Sequence, residues 1–261
     1  MISLIRAAAL FLLAYTLQQL IQTDLINLYL NPRFVPLTKM ALVFIIILFV
    51  LSLIDFGSRV LSNRVYPGRF AGAPVIVLLT ALSPLIFSPQ SLGSTMISQK
   101  GMWTFGGSNP MTALQGPAGQ PDKFNRSVAK QLPADNKPES NEEVLQLTDS
   151  NFIVKFAKIQ RHPQDYIGKE IELEGFLVHH PLMDHDKYLI ARYAIVCCAA
   201  DAQVLGFAVL DQAAYPDDTW IKLRGKIAAD QENLYLKVTS VQRLATPANP
   251  YLYAPEGLPE I

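Results

Sequence analysis

The chain is poor in the residues that most catalytic and metal centres need. It has two cysteines and four histidines in 261 residues, and only 17% of it is charged. Two cysteines cannot build a disulfide framework, so cysteine usage does not fix the compartment. No CxxC or HExxH spacing occurs, and no serine–histidine–acid set or carboxylate pair stands out, so no enzymatic activity is expected. An excess of positive charge is missing as well, with 22 basic and 22 acidic side chains. The balance is uneven along the chain. Residues 1–100 carry seven basic and two acidic side chains, which leaves the remainder at −5. A phosphate-binding surface needs clustered lysine and arginine, so nucleic acid is not an expected partner.

What the chain has in quantity is apolar residues, half of the total, concentrated near the N-terminus. "MALVFIIILFVLSLI" (40–54) contains no charge and is apolar on every face. With its flanks it reaches the ~20 residues a helix needs to cross a bilayer, so a span is expected over 36–56. A first span is expected over 4–30. Its second half brings Gln18, Gln22 and Asn27 near one helical face. Such a stripe is costly in lipid unless it faces protein or water; the alternative is a helix whose end leaves the bilayer. "AGAPVIVLLTALSPLIFS" (71–88) is a third expected span, interrupted by Pro74 and Pro84. The membrane domain so drawn is 1–91.

The connecting loop 57–70 carries Arg59, Arg64 and Arg69 and no acid, which the positive-inside rule places in the cytoplasm. Three spans then put everything after Ser88 outside the cell membrane; two spans would put it inside. Residues 92–148 read as a flexible linker, rich in Gly, Pro, Ser, Asn and charge, with Leu92 to Gly101 docked near the membrane.

From Asp149 the pattern changes to a soluble domain, 149–261. Phe152, Ile153, Phe156, Ala157 and Ile159 follow helical spacing, with Asp149 or Ser150 as N-cap and Pro163 as the stop. Five strands follow. Ile171 and Leu173 alternate with Glu172 and Glu174, Ile221 and Leu223 with Lys222 and Arg224, and Leu234, Leu236 and Val238 mark the last. Gly175 reads as a bulge or bend. "CAADAQ" makes a hairpin between two apolar runs. Five short strands in so few residues predict a small all-β OB-like barrel with one flanking helix, a β-sandwich being the alternative. The fold class is thus an α-helical membrane region of three transmembrane helices plus this barrel.

Cys197 and Cys198 stand side by side. Neighbours on a regular strand point to opposite faces, so both can serve one metal only if the chain leaves strand geometry there. Zinc takes four ligands from Cys, His and carboxylate. The further donors are Asp201 and, in the loop "HHPLMDHD", His179, His180 and His185, with Asp184 and Asp186 between them. The competing readings are a buried pair of small apolar side chains and a redox pair.

Four stretches give the chain a resemblance. "LYLNPRFVPLTKMA" (28–41), "SPLIFSPQSLGSTMISQKG" (83–101), "YIGKEIELEGFLV" (166–178) and "ARYAIVCCAADAQVLGFAV" (191–209) resemble the YcgQ-type family of bacterial membrane proteins. That resemblance implies an accessory subunit of a two-component permease, paired with a larger polytopic YcgR-type protein in the inner membrane. It also implies a link to metal supply in some members. Many of those carry a histidine-rich loop between spans two and three. Here "GSRVLSNRVYPGRF" holds arginines and no histidine, which leaves the Cys197–Cys198 region as the place for such a role.

Overall fold

The computed structural model describes residues 2–62, 79, 82, 91–100, 103–104, 143–179, 186–211, 215–230 and 233–253. They fall into two compact units, Met1–Gln90 and Ser91–Ile261.

In the first unit, α1 (Ile2–Gln22) and α2 (Val35–Ser62) pack together. Two helical stretches, Leu4–Gln22 and Pro32–Ser58, are long and apolar enough to cross a membrane. The expected third span, 71–88, lies outside the described residues except for Leu79 and Leu82, which are helical. The first helix is shorter than the 4–30 drawn from sequence. It stops at Gln22, and Asp24 adopts a left-handed conformation with φ 56°. A 3-10 turn over Leu25–Leu28 follows, so Asn27 is not on the helical face of Gln18 and Gln22. The Asn31 side chain then accepts a hydrogen bond from the Arg33 N–H at 3.1 Å, and Pro32 opens the short turn into α2.

The buried positions on these helices are mostly small, Ala7, Ala9, Thr16 and Ser52, with Leu42 beside them. Small side chains let helix backbones approach closely in lipid. The Phe11 and Phe49 rings meet at 5.7 Å. Met40, Val43, Phe44, Ile47, Leu51 and Ile54 stay exposed along α2, an apolar surface that only lipid or protein can cover.

The second unit is a closed five-strand barrel. Its strands are β3 (Glu170–Val178), β4 (Lys187–Ile195), β5 (Gln203–Leu210), β6 (Trp220–Asp230) and β7 (Asn233–Arg243). The ring runs β3–β4–β5–β7–β6 and returns to β3. All contacts around it are antiparallel except β5–β7, which pairs Val209 with Leu236 and Leu210 with Lys237 in parallel. Three short strands add to its edges in parallel: β1 (Trp103–Thr104) on β5, β2 (Val144–Leu147) on β3, and β8 (Tyr251–Tyr253) on β4.

The alternation holds where it was expected. Ile171, Leu173, Ile221, Leu223, Leu234 and Leu236 are buried in the core. Their neighbours form a ladder of ion pairs on the outside: Arg224 binds both carboxylate oxygens of Glu170, and Lys222 lies 2.8 Å from Glu172. Exposed pairs of this kind add little stability and mainly keep the face soluble.

After the short helix α3 (Thr95–Lys100), helix α4 (Phe152–Arg161) buries the five predicted positions against the barrel core. Phe152 and Phe156 set their rings edge-on to Phe207 of β5, at 6.2 and 5.2 Å. The N-cap position is Asn151, not Asp149 or Ser150. The Asn151 side-chain Oδ1 turns back to accept from the Thr148 N–H at 2.8 Å, and Asp149 is drawn away to Arg192.

Gly175 is not a bulge. Its strand keeps register with β6 throughout, and the register shift falls between Arg224 and Gly225 instead. Gly175 is glycine because β4 passes too near for a side chain. A Cβ there would sit 2.7 Å from the Ala191 carbonyl oxygen.

Candidate functional site

The two cysteines sit where the barrel leaves strand geometry. Strand β4 ends at Ile195, and a single 3-10 turn, Ala199–Asp201, leads into β5. One carboxylate shapes the passage. Asp201 accepts the N–H of Val196 at 2.9 Å through Oδ1, and those of Cys197 and Cys198 at 2.7 and 2.9 Å through Oδ2. Three consecutive amides thus converge on one acid, and the side chains of Cys197 and Cys198 no longer diverge. The two Sγ atoms lie 3.7 Å apart. The Asp201 N–H donates to the Cys198 carbonyl at 3.0 Å and is also directed at the Cys198 sulfur.

Cys197, Cys198 and Asp201 bring a ligand atom each within 4.8 Å of the others, and all three are half-buried. The Asp201 carboxylate and partial burial push the Cys197 thiol up to about 12. A neutral thiol is a poor nucleophile, which weighs against a reactive thiolate. Both cysteines are free. Adjacent residues hold their Cα atoms ~3.8 Å apart, shorter than disulfide geometry prefers.

The histidines divide differently. His179, at the end of β3, gives its backbone N–H to Asp217 Oδ1 at 2.7 Å, and its Nδ1 lies 2.8 Å from the same oxygen. It is therefore held by Asp217 and is not part of the thiol cluster. His180 and His185, with Asp184, lie outside the described residues.

Two further features had no signal in the sequence. The first is a clasp. Leu92 donates to the Tyr251 hydroxyl at 2.9 Å, the Tyr193 hydroxyl donates to the Gly93 carbonyl at 2.6 Å, and Ser94 gives its N–H and hydroxyl to Asp218. Ile97 is buried beneath it. Both ends of the 92–148 stretch therefore pack on the barrel, through this clasp with β1 and through β2; residues 105–142 lie outside the described residues.

The second is a cleft of about 450 Å³ lined by residues that include Thr148, Asp149, Glu172, Glu174, Arg192 and Lys222. Arg192 is buried there, with its side chain 4% exposed and bonded to Asp149 at 2.7 Å. Its guanidinium lies over the Trp220 ring at 5.1 Å. The lining carries three acids against two bases, so the cleft has no anion-binding character.

Two stretches of the chain match known sequence families. Residues 5–103 match the DUF1980 N-terminal domain, and residues 123–254 match the DUF1980 C-terminal domain. The chain belongs to the DUF1980 family. Among relatives of this DUF1980 member is a Streptococcus mutans protein, 26% identical over 244 residues, covering 86% of this chain and 90% of that one. Its provisional name is two-component membrane permease complex subunit. A second is the UPF0703 protein YcgQ of Bacillus subtilis, 25% identical over 191 residues, covering 69% of this chain and 67% of that one. The YcgQ-type resemblance carried by the four stretches is thereby established.

Proposed function

We propose that the chain is the accessory subunit of a two-component membrane permease. Its helices bind a polytopic partner of the YcgR type, and its barrel captures a ligand on the outer side of the plasma membrane. The observation that carries this reading is the near end-to-end match to the Streptococcus mutans relative named as such a subunit. Two helices apolar enough to span a bilayer fit it. So does the polar edge of α1, where Gln19 and Gln22 are exposed one turn apart while Gln18 is half-buried. Polar side chains on a spanning helix seek protein or water.

The barrel is OB-like in this reading, supported by five strands closing through one parallel pair. Its placement outside rests on the arginines of the 57–70 loop and on a third span at 71–88. The acidic balance of residues 101–261 favours a protein or cation ligand over nucleic acid. No catalytic step is assigned to it.

Co-purification tests the reading. The full chain, extracted in mild detergent, is expected to bring down a multi-span protein. The double substitution Gln19→Leu and Gln22→Leu is expected to cut that recovery at least about fivefold, the loss of roughly 1 kcal/mol of interhelical hydrogen bonding. Recovery of a partner-free chain from native membranes would overturn it.

A further inference from the structure

We propose that Cys197 and Cys198 form a two-thiolate half-site for a thiophilic cation of tetrahedral preference, of the zinc class, with Asp201 positioning both sulfurs. The inference deepens the accessory-subunit reading, on which its use in transport rests; the binding itself rests on the turn alone.

The separation of the sulfurs is the first observation. Two thiolates on one tetrahedral zinc, each with a bond of about 2.3 Å, lie about 3.8 Å apart. The Sγ atoms here are 3.7 Å apart. Linear two-coordinate binding at the same bond length would require about 4.6 Å. The pair therefore needs little rearrangement to chelate one tetrahedral ion.

The second observation is how that separation is maintained. Asp201 gathers the amides of Val196, Cys197 and Cys198, and so fixes the backbone that carries both sulfurs. The Asp201 amide, shared between the Cys198 carbonyl and Cys198 Sγ, supplies a hydrogen bond of the kind that steadies a metal-bound sulfur. With three amides already on its oxygens, Asp201 acts through the thiols as a positioning residue.

The third is access. Both thiols are half-buried, so an ion can reach them and still be partly shielded from water. Two sulfurs fill two of four tetrahedral positions. The open positions suit an ion that is taken up and passed on, whereas a structural site would be closed. On binding, two S–H bonds break, two metal–sulfur bonds form, and both protons leave to solvent.

Cobalt(II), added to the full reduced chain in detergent, is the probe. One cobalt per chain is expected, with tetrahedral visible bands and a sulfur-to-cobalt charge-transfer absorption of two thiolates that zinc abolishes. Cys197→Ser and Cys198→Ser are each expected to lose at least half of that absorption. Asp201→Asn is expected to show the same spectrum at saturation, with affinity weakened about 10- to 100-fold. The half-site is overturned by an absent sulfur band while both thiols remain titratable, or by a band that survives either cysteine substitution. A four-thiolate band at half an equivalent per chain also overturns it, since two copies would then close the site. Partner recovery is scored on the same preparations. Metal-free protein that still brings down its permease overturns the half-site alone; metal-loaded protein without a partner overturns the accessory-subunit reading alone.

Discussion

Replacing Phe207 by alanine is expected to destabilise the barrel by about 3–5 kcal/mol, a large share of the 5–15 kcal/mol typical of a whole domain. Phe207 is fully buried and is the side chain on which the helix and the barrel meet. Its truncation removes the ring that Phe152 and Phe156 both approach edge-on and opens a cavity that α4 and β5 cannot jointly close. Phe207→Leu keeps most of the volume and is expected to cost about 1 kcal/mol. The measurement is the urea midpoint of the full chain in detergent, followed through tryptophan fluorescence, to which buried Trp220 contributes. Equal midpoints for the alanine variant and the parent would show that α4 is not held through this ring.

Gly175→Val is expected to cost about 3 kcal/mol for a different reason. The new Cβ would lie 2.7 Å from the Ala191 carbonyl oxygen and 2.9 Å from the Ile190 side chain, and the first of these is backbone. Strand β4 would have to move, and with it the pairing of Phe176 to Ala191 that passes β3 from β6 to β4. Gly168 is the comparison. Its φ of 83° disfavours a side chain, but nothing lies within 4 Å, so Gly168→Ala should cost only about 1 kcal/mol. Hydrogen exchange reads the difference: β3 and β4 amides should lose protection in Gly175→Val and keep it in Gly168→Ala. Matching losses in the two variants would refute the steric account.

The sequence showed most clearly those parts of the fold that bury one face of a regular element. Ile171 and Leu173 against Glu172 and Glu174 is a period of two that only a half-buried strand satisfies, and the α4 face follows the same logic at 3.6. The turn holding Cys197 and Cys198 was visible as a break between two apolar runs. What happens in that turn was not, because it depends on Asp201 collecting three amides, and an aspartate in a loop has many ways to be satisfied. The N-cap is hidden from the sequence for a similar reason, since Asp149 answers to Arg192, 43 positions away. Strands β1, β2 and β8 are four residues or fewer, too short for a period to stand out from the sequence around them. The reach of Tyr193 and Tyr251 to Gly93 and Leu92 spans 100 and 159 positions, and no local pattern announces a contact at that distance.

The clasp changes what a proteolytic nick can reveal. Residues 91–100 and β1 are held to the barrel ahead of the 105–142 stretch, and β2 is held to it beyond that stretch. A cut inside 105–142 divides the polypeptide but leaves each new fragment gripping the same set of strands. Release of the globular portion from the membrane is then a question of unzipping a non-covalent seam, and side-of-membrane experiments on this protein are best read on denaturing gels.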